Sequence, residues 1–129
     1  MAAIRCEAMK VRIAHDSIRV RLNQSEVRAL GQGELVQMET VVSDSARIIS
    51  VVRPASVDAP RVSLKGSSLS IDVPRSQLSD WAAGDSVSIE SRQAVGGDRG
   101  LTLLIEKDFH CLHRDNPDDV DTFPNPKRC

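Results

Sequence analysis

Apolar and polar residues alternate strictly in two stretches of the chain. Ile18, Val20 and Leu22 are separated by Arg19 and Arg21, and Leu69, Ile71 and Val73 by Ser70 and Asp72. A period of two marks a half-buried strand, because successive side chains point to opposite faces. A shorter strand precedes each, at 10–14 and 61–65, and turn-forming residues join the members of each pair. These are His15-Asp16-Ser17 and Gly66-Ser67-Ser68, so each pair is predicted to be a hairpin. A short helix follows both. In the first, Asn23 can cap and Glu26 completes a capping box. Val27 and Leu30 share one face there, and Gly31 or Gly33 can end the helix in the left-handed conformation. In the second, Pro74 sits at the start, where its missing N–H costs nothing. Leu78 and Trp81 form the buried face and Gly84 ends the helix. Further strands are predicted at 34–42, 46–53, 86–92 and 101–107. The loop between the last two is the longer one and holds Gly96, Gly97 and Gly100.

The order strand–strand–helix–strand–strand thus occurs twice. Sliding the chain by 51 residues lays residues 10–40 on 61–91 without a gap and gives six identities, among them Ser17/Ser68, Gly33/Gly84, Val36/Val87 and Glu39/Glu90. Ile13/Leu64, Val20/Ile71, Val27/Leu78 and Leu30/Trp81 are apolar in both copies. The expected fold is therefore mostly β: a β-barrel of about eight strands with two short helices, built from two tandem ββαββ repeats that form a pseudo-dimer. Residues 1–9 read as an N-terminal extension, and 10–107 as one domain with repeats at 10–53 and 61–107. Residues 54–60, with Pro54 and Pro60, read as the linker, and 108–129 as a tail packed on the barrel.

Composition narrows the function. The 129 residues suit one domain. Two Phe, one Trp and no Tyr leave Val, Ile, Leu and Met to fill the core. They also weigh against binding single-stranded nucleic acid by base stacking, which needs exposed aromatic faces. Net charge is -1, so there is no global field to attract nucleic acid or anionic membrane. Charge is uneven, however: residues 1–30 hold six Lys/Arg against three acids, and the segment from Asp108 holds five Asp against three Lys/Arg. No apolar run approaches the ~18 residues that span a bilayer, and no secretion signal is evident. Three cysteines without framework spacing agree with a reduced, cytoplasmic setting.

Ile71-Asp72-Val73-Pro74-Arg75-Ser76-Gln77-Leu78, followed by Gly84-Asp85-Ser86-Val87-Ser88-Ile89-Glu90, resembles an AbrB-type swapped-hairpin unit. The first copy is similar in plan but has Asn23 where that motif has proline. The resemblance implies that two copies in one chain close a barrel which AbrB-type units build as a dimer, so a monomer is expected. It also implies DNA binding by basic residues around the first hairpin. The whole chain from Met9 on resembles an uncharacterised family of short bacterial proteins of unknown function. The matching stretches are Met9-Lys10-Val11-Arg12-Ile13, Ser17 to Leu22, Gln24-Ser25-Glu26-Val27, Glu106 to Leu112, and Phe123-Pro124-Asn125-Pro126. That resemblance implies no activity.

Three groups of residues are candidates for chemistry. Arg12, Arg19 and Arg21, with Lys10 and Arg28, could contact phosphate or guanine edges; the bland alternative is a solvated sheet face. Their counterparts are Ser63, Ser70 and Asp72, so only one half is basic, whereas a reader of palindromic DNA should be basic on both. That asymmetry lowers the DNA reading and leaves an acidic protein partner open. The second group is Cys111 and His113, which point the same way in an extended segment and could hold a metal with Asp108, or with His15, Asp115, Cys6 or Cys129, or form a thiol–imidazole pair. No CxxC or HxxxH spacing supports either, and a packed tail is the simpler reading. The third is Phe109 and Phe123, the only phenylalanines, which are expected to anchor the tail by burial. No catalytic residue and no cofactor is assigned. The reading is a non-enzymatic binding module of a bacterial cytosolic protein, with an unknown protein partner and no membrane. An AbrB-like DNA-binding regulator is the alternative, and a metal- or thiol-dependent activity at the His/Cys cluster a second one.

Overall fold

Asn23 begins the first helix as its capping box predicts. Its side chain accepts from the Glu26 N–H at 2.9 Å, and the Glu26 carboxylate accepts from the Asn23 N–H at 2.8 Å, so two otherwise orphaned donors are satisfied. Gly33 takes the positive φ, +87°, that lets the chain leave the helix. Gly31 lies within the last turn for a different reason: a Cβ there would stand 2.6 Å from the Ala82 Cβ of the second helix.

The computed structural model describes the backbone of residues 3–5, residues 9–109, and Phe123. Among these the protein is mostly β, with nine strands and two helices. In chain order they are β1 (Ala3–Arg5), β2 (Lys10–Ala14), β3 (Ser17–Leu22), α1 (Gln24–Gly31), β4 (Leu35–Ser43), β5 (Ala46–Ala55), β6 (Arg61–Lys65), β7 (Ser68–Pro74), α2 (Arg75–Ala83), β8 (Ser88–Gly96) and β9 (Arg99–Lys107).

The strands form a five-stranded sheet, β1-β4-β5-β7-β6, and a four-stranded sheet, β2-β3-β9-β8. Each sheet joins the first hairpin of one half to the second hairpin of the other, through the parallel pairs β3·β9 and β5·β7. Inner-facing Val20, Leu22, Val36, Val52, Ile71, Val73, Leu103 and Ile105 meet Val27, Leu30, Leu78 and Trp81 of the helices in one apolar core. Burying a side chain of this size is worth roughly 1.5–3 kcal/mol, which makes this core the main source of stability.

Several expectations need correction. The sheets do not close into a barrel. At one seam, the Gln93 amide of β8 bonds both backbone groups of Val62 on β6, accepting from its N–H at 2.7 Å and donating to its carbonyl at 2.9 Å. A side chain stands there in place of a strand ladder. At the other, β1 pairs with β4 at Leu35–Gln37. The ungapped slide also fails after the helices. Val20 pairs with Ile105 and Ile105 with Ile89, while its counterpart Ile71 pairs with Val52, which pairs with Val36. Val36 therefore corresponds to Ile89, an offset of 53. Val36 and Val87, and Glu39 and Glu90, thus do not occupy equivalent ladder positions. A slip of two preserves the inward–outward alternation, which is why the pattern concealed it.

Strand ends also differ. β8 and β9 run on to a turn at Gly97-Asp98, so the expected long loop is mostly ladder. β5 continues through Pro54 to Ala55. Pro54 is tolerated because β4 has no partner beyond Val52, so that side of β5 has no ladder bond to lose. Pro74 is the cap of α2 and lies just before its first turn.

Candidate functional site

Pairing registers place the basic residues. Lys10 stands opposite Arg21, and Arg12 opposite Arg19, across the β2–β3 hairpin. All four occupy the outer face of the four-stranded sheet, and with Val11 they line a cleft of about 190 Å³. Like charges directly opposite one another on a sheet are destabilising, by an amount within roughly 0.2–1 kcal/mol per pair. The other hairpin makes the contrast. Its corresponding pairs are Arg61 with Asp72, and Ser63 with Ser70, one attractive and one neutral.

Glu106 of β9 offsets part of this charge. Its Oε1 lies 3.1 Å from Arg19 Nε and 3.5 Å from Arg21 Nε, and both contacts are ion pairs rather than directed hydrogen bonds. Lys10 Nζ lies 3.1 Å from Asp108 Oδ2. Arg12 has no ionic partner among the described residues. Arg28 does not join this group. It is exposed on α1 and lines a separate depression between the helices, with Gln24, Ser79 and Phe123.

The central ion pairs of the two sheets are reversed in sign. Arg21 of β3 faces Glu106 of β9, whereas Asp72 of β7 faces Arg53 of β5, with Arg53 Nε 2.6 Å from Asp72 Oδ1. In one sheet the first hairpin supplies the cation; in the other it supplies the anion.

A second constellation surrounds Lys107, which the sequence analysis missed. It is only 7% exposed. Its ammonium lies 5.6 Å from the ring centroids of both Trp81 and Phe123 and donates to the Gly84 carbonyl at 2.9 Å. Two ring faces and a helix C-terminus each favour a cation. The signal was present in the sequence: Lys107 continues the inward period of Leu101, Leu103 and Ile105. Phe109 and Phe123 are also in contact, their rings 5.6 Å apart and tilted by 54°. The Phe123 N–H donates to the Asp108 carbonyl at 2.8 Å.

Cys111 and His113 lie outside the described residues, as do Asp115, Cys6 and Cys129. Asp108, the third member of that group, is buried and engaged with Lys10. Among the described residues, no three His, Cys, Asp or Glu side chains come together as metal ligands, and no helix is long and apolar enough to cross a membrane.

The fold and these surfaces define a mostly β protein of two sheets and two helices, with a cationic sheet face. By sequence the chain belongs to a family of unknown function, DUF7009, whose model matches residues 9–127. No curated protein matches it. The β1 strand precedes the matched region.

Proposed function

We propose that this chain is a non-enzymatic binding module of the bacterial cytosol that docks an acidic protein partner on the outer face of its four-stranded sheet. One observation carries the reading: Lys10–Arg21 and Arg12–Arg19 are like-charge pairs set face to face, where the other hairpin holds Arg61–Asp72 and Ser63–Ser70. A surface held at a local electrostatic cost suits an anion, whose arrival turns that repulsion into attraction. The test is fluorescence anisotropy with labelled polyglutamate, using the intact chain and the Arg12→Ser/Arg19→Ser variant, which installs the serines of the other hairpin. The intact chain should bind at low salt and weaken at physiological salt, and the variant should lose binding. Equal affinity in both would end the proposal.

A DNA-binding regulator of AbrB type is the second reading. The exchange of hairpins between halves, β3 with β9 and β7 with β5, supports a single-chain, monomeric version of the swapped-hairpin plan. Cations face cations in the first hairpin and not in its counterpart, where Arg61 faces Asp72, and this asymmetry weighs against a palindromic reader. That reading requires duplex DNA to bind with a steep salt dependence, and to be lost on replacing Arg19 and Arg21.

A further inference from the structure

The two halves treat corresponding edge strands differently. β6 is an edge of its sheet, and Gln93 occupies both backbone groups of Val62. β2 is the corresponding edge of the other sheet, and Val11 corresponds to Val62. Ladder positions place Thr40, paired with Ile48, where Gln93, paired with Leu101, stands in the other half. A threonine hydroxyl can both donate and accept, but it sits directly on Cβ and lacks the reach of the Gln93 amide. Because the Val62 groups point outward, those of Val11 do too, and alternation adds those of Ile13. Among the described residues nothing bonds them.

We infer that an extended segment of a partner protein, alternating acidic and apolar residues, adds to β2 as an extra strand. This inference rests on the acidic-partner reading above. An added strand would satisfy the open backbone groups of Val11 and Ile13. Every second side chain of it would lie over Lys10 and Arg12 on the cationic face, so those positions should be Asp or Glu. The intervening side chains would lie over Val11 and Ile13. Ile13 is 70% exposed, an apolar surface that such a strand would cover.

Charge also argues against two different roles for this edge. A second copy of the chain pairing through β2 would bring Lys10 and Arg12 against the same residues, which is repulsive. Protection against aggregation accounts for cations on an edge strand. It does not account for Arg19 and Arg21, which lie on the interior strand β3 and extend the same face.

The experiment titrates the full chain into a fluorescent peptide of alternating glutamate and valine. The comparators are polyglutamate, the same peptide with alternate backbone amides N-methylated, and duplex DNA. The alternating peptide should bind about tenfold tighter than polyglutamate, and N-methylation should remove the difference by deleting strand hydrogen bonds while keeping every charge. Ile13→Asp, at a position that is largely exposed, should weaken the alternating peptide selectively. Equal binding of the N-methylated peptide, or no gain over polyglutamate, would overturn strand addition and leave the acidic-partner reading standing. Binding of DNA without polyglutamate would overturn both.

Discussion

Gly31 shows how one residue sets the distance between two helices. Replacing it by alanine removes a helix-weakening glycine, worth about 1 kcal/mol in an open helix. Here the new Cβ would stand 2.6 Å from Ala82 Cβ, and overpacking costs about 1–3 kcal/mol. Gly31→Ala is therefore expected to lower stability despite its better propensity, as urea denaturation would show; an unchanged or raised midpoint would mean that α1 and α2 can part freely. Lys107 is the second such residue. Lys107→Met keeps the stem but loses a hydrogen bond and two cation–ring contacts, together about 2 kcal/mol. Trp81, the only tryptophan, reports the outcome directly: its emission should change in Lys107→Met and in Phe123→Ala. Unaltered emission in both would show that the ammonium and the rings are not coupled. Asn23 could be read from sequence because a cap is local. The inward placement of Lys107 follows the local period, but its partners could not be read, because they come from α2, Gly84 and Phe123.

At the scale of elements, the hydrogen bonds between β6 and β8 among the described residues come from one side chain, Gln93. Gln93→Leu keeps the volume but leaves the Val62 N–H and carbonyl without partners, at a cost of about 1–3 kcal/mol. Hydrogen exchange at the Val62 amide should accelerate, with far less change at Val20 and Ile71 inside their ladders. Continued protection of Val62 would mean that the sheets meet by other contacts. The helices and hairpins were legible in advance, since a period of two, an Asn–Glu capping box and paired turn residues are local signals. The strand ends and the two-residue slip of the second hairpins were not. A shift by two keeps every apolar residue facing inward, so hydrophobicity alone cannot detect it.

For the whole molecule the question is which hairpin pairs with which. If β3 paired with β5 of its own half, Arg21 would face Arg53; β7 with β9 would set Asp72 against Glu106. The observed exchange makes both contacts attractive. Reversing one pair, Arg53→Asp with Asp72→Arg, keeps attraction within each sheet but removes this discrimination. Equilibrium stability should change by no more than about 0.5 kcal/mol, as for other surface substitutions, while sedimentation after refolding should reveal more misassembled or dimeric species. A refolding yield equal to that of the unaltered chain would show that topology is set by the core alone. The sequence by itself determined a mostly β chain with two helices, two like-ordered halves and a first hairpin richer in cations than the second, because these follow from residue type and near-neighbour period. Only the tertiary structure decided that the barrel stays open, that Gln93 seals one edge while β2 has no such cover among the described residues, that Lys10–Arg21 and Arg12–Arg19 stand apart from Arg28, and that Lys107 is buried between two rings. Each of these depends on contacts between residues distant in the chain, and no local pattern specifies which distant partner a strand or side chain will meet.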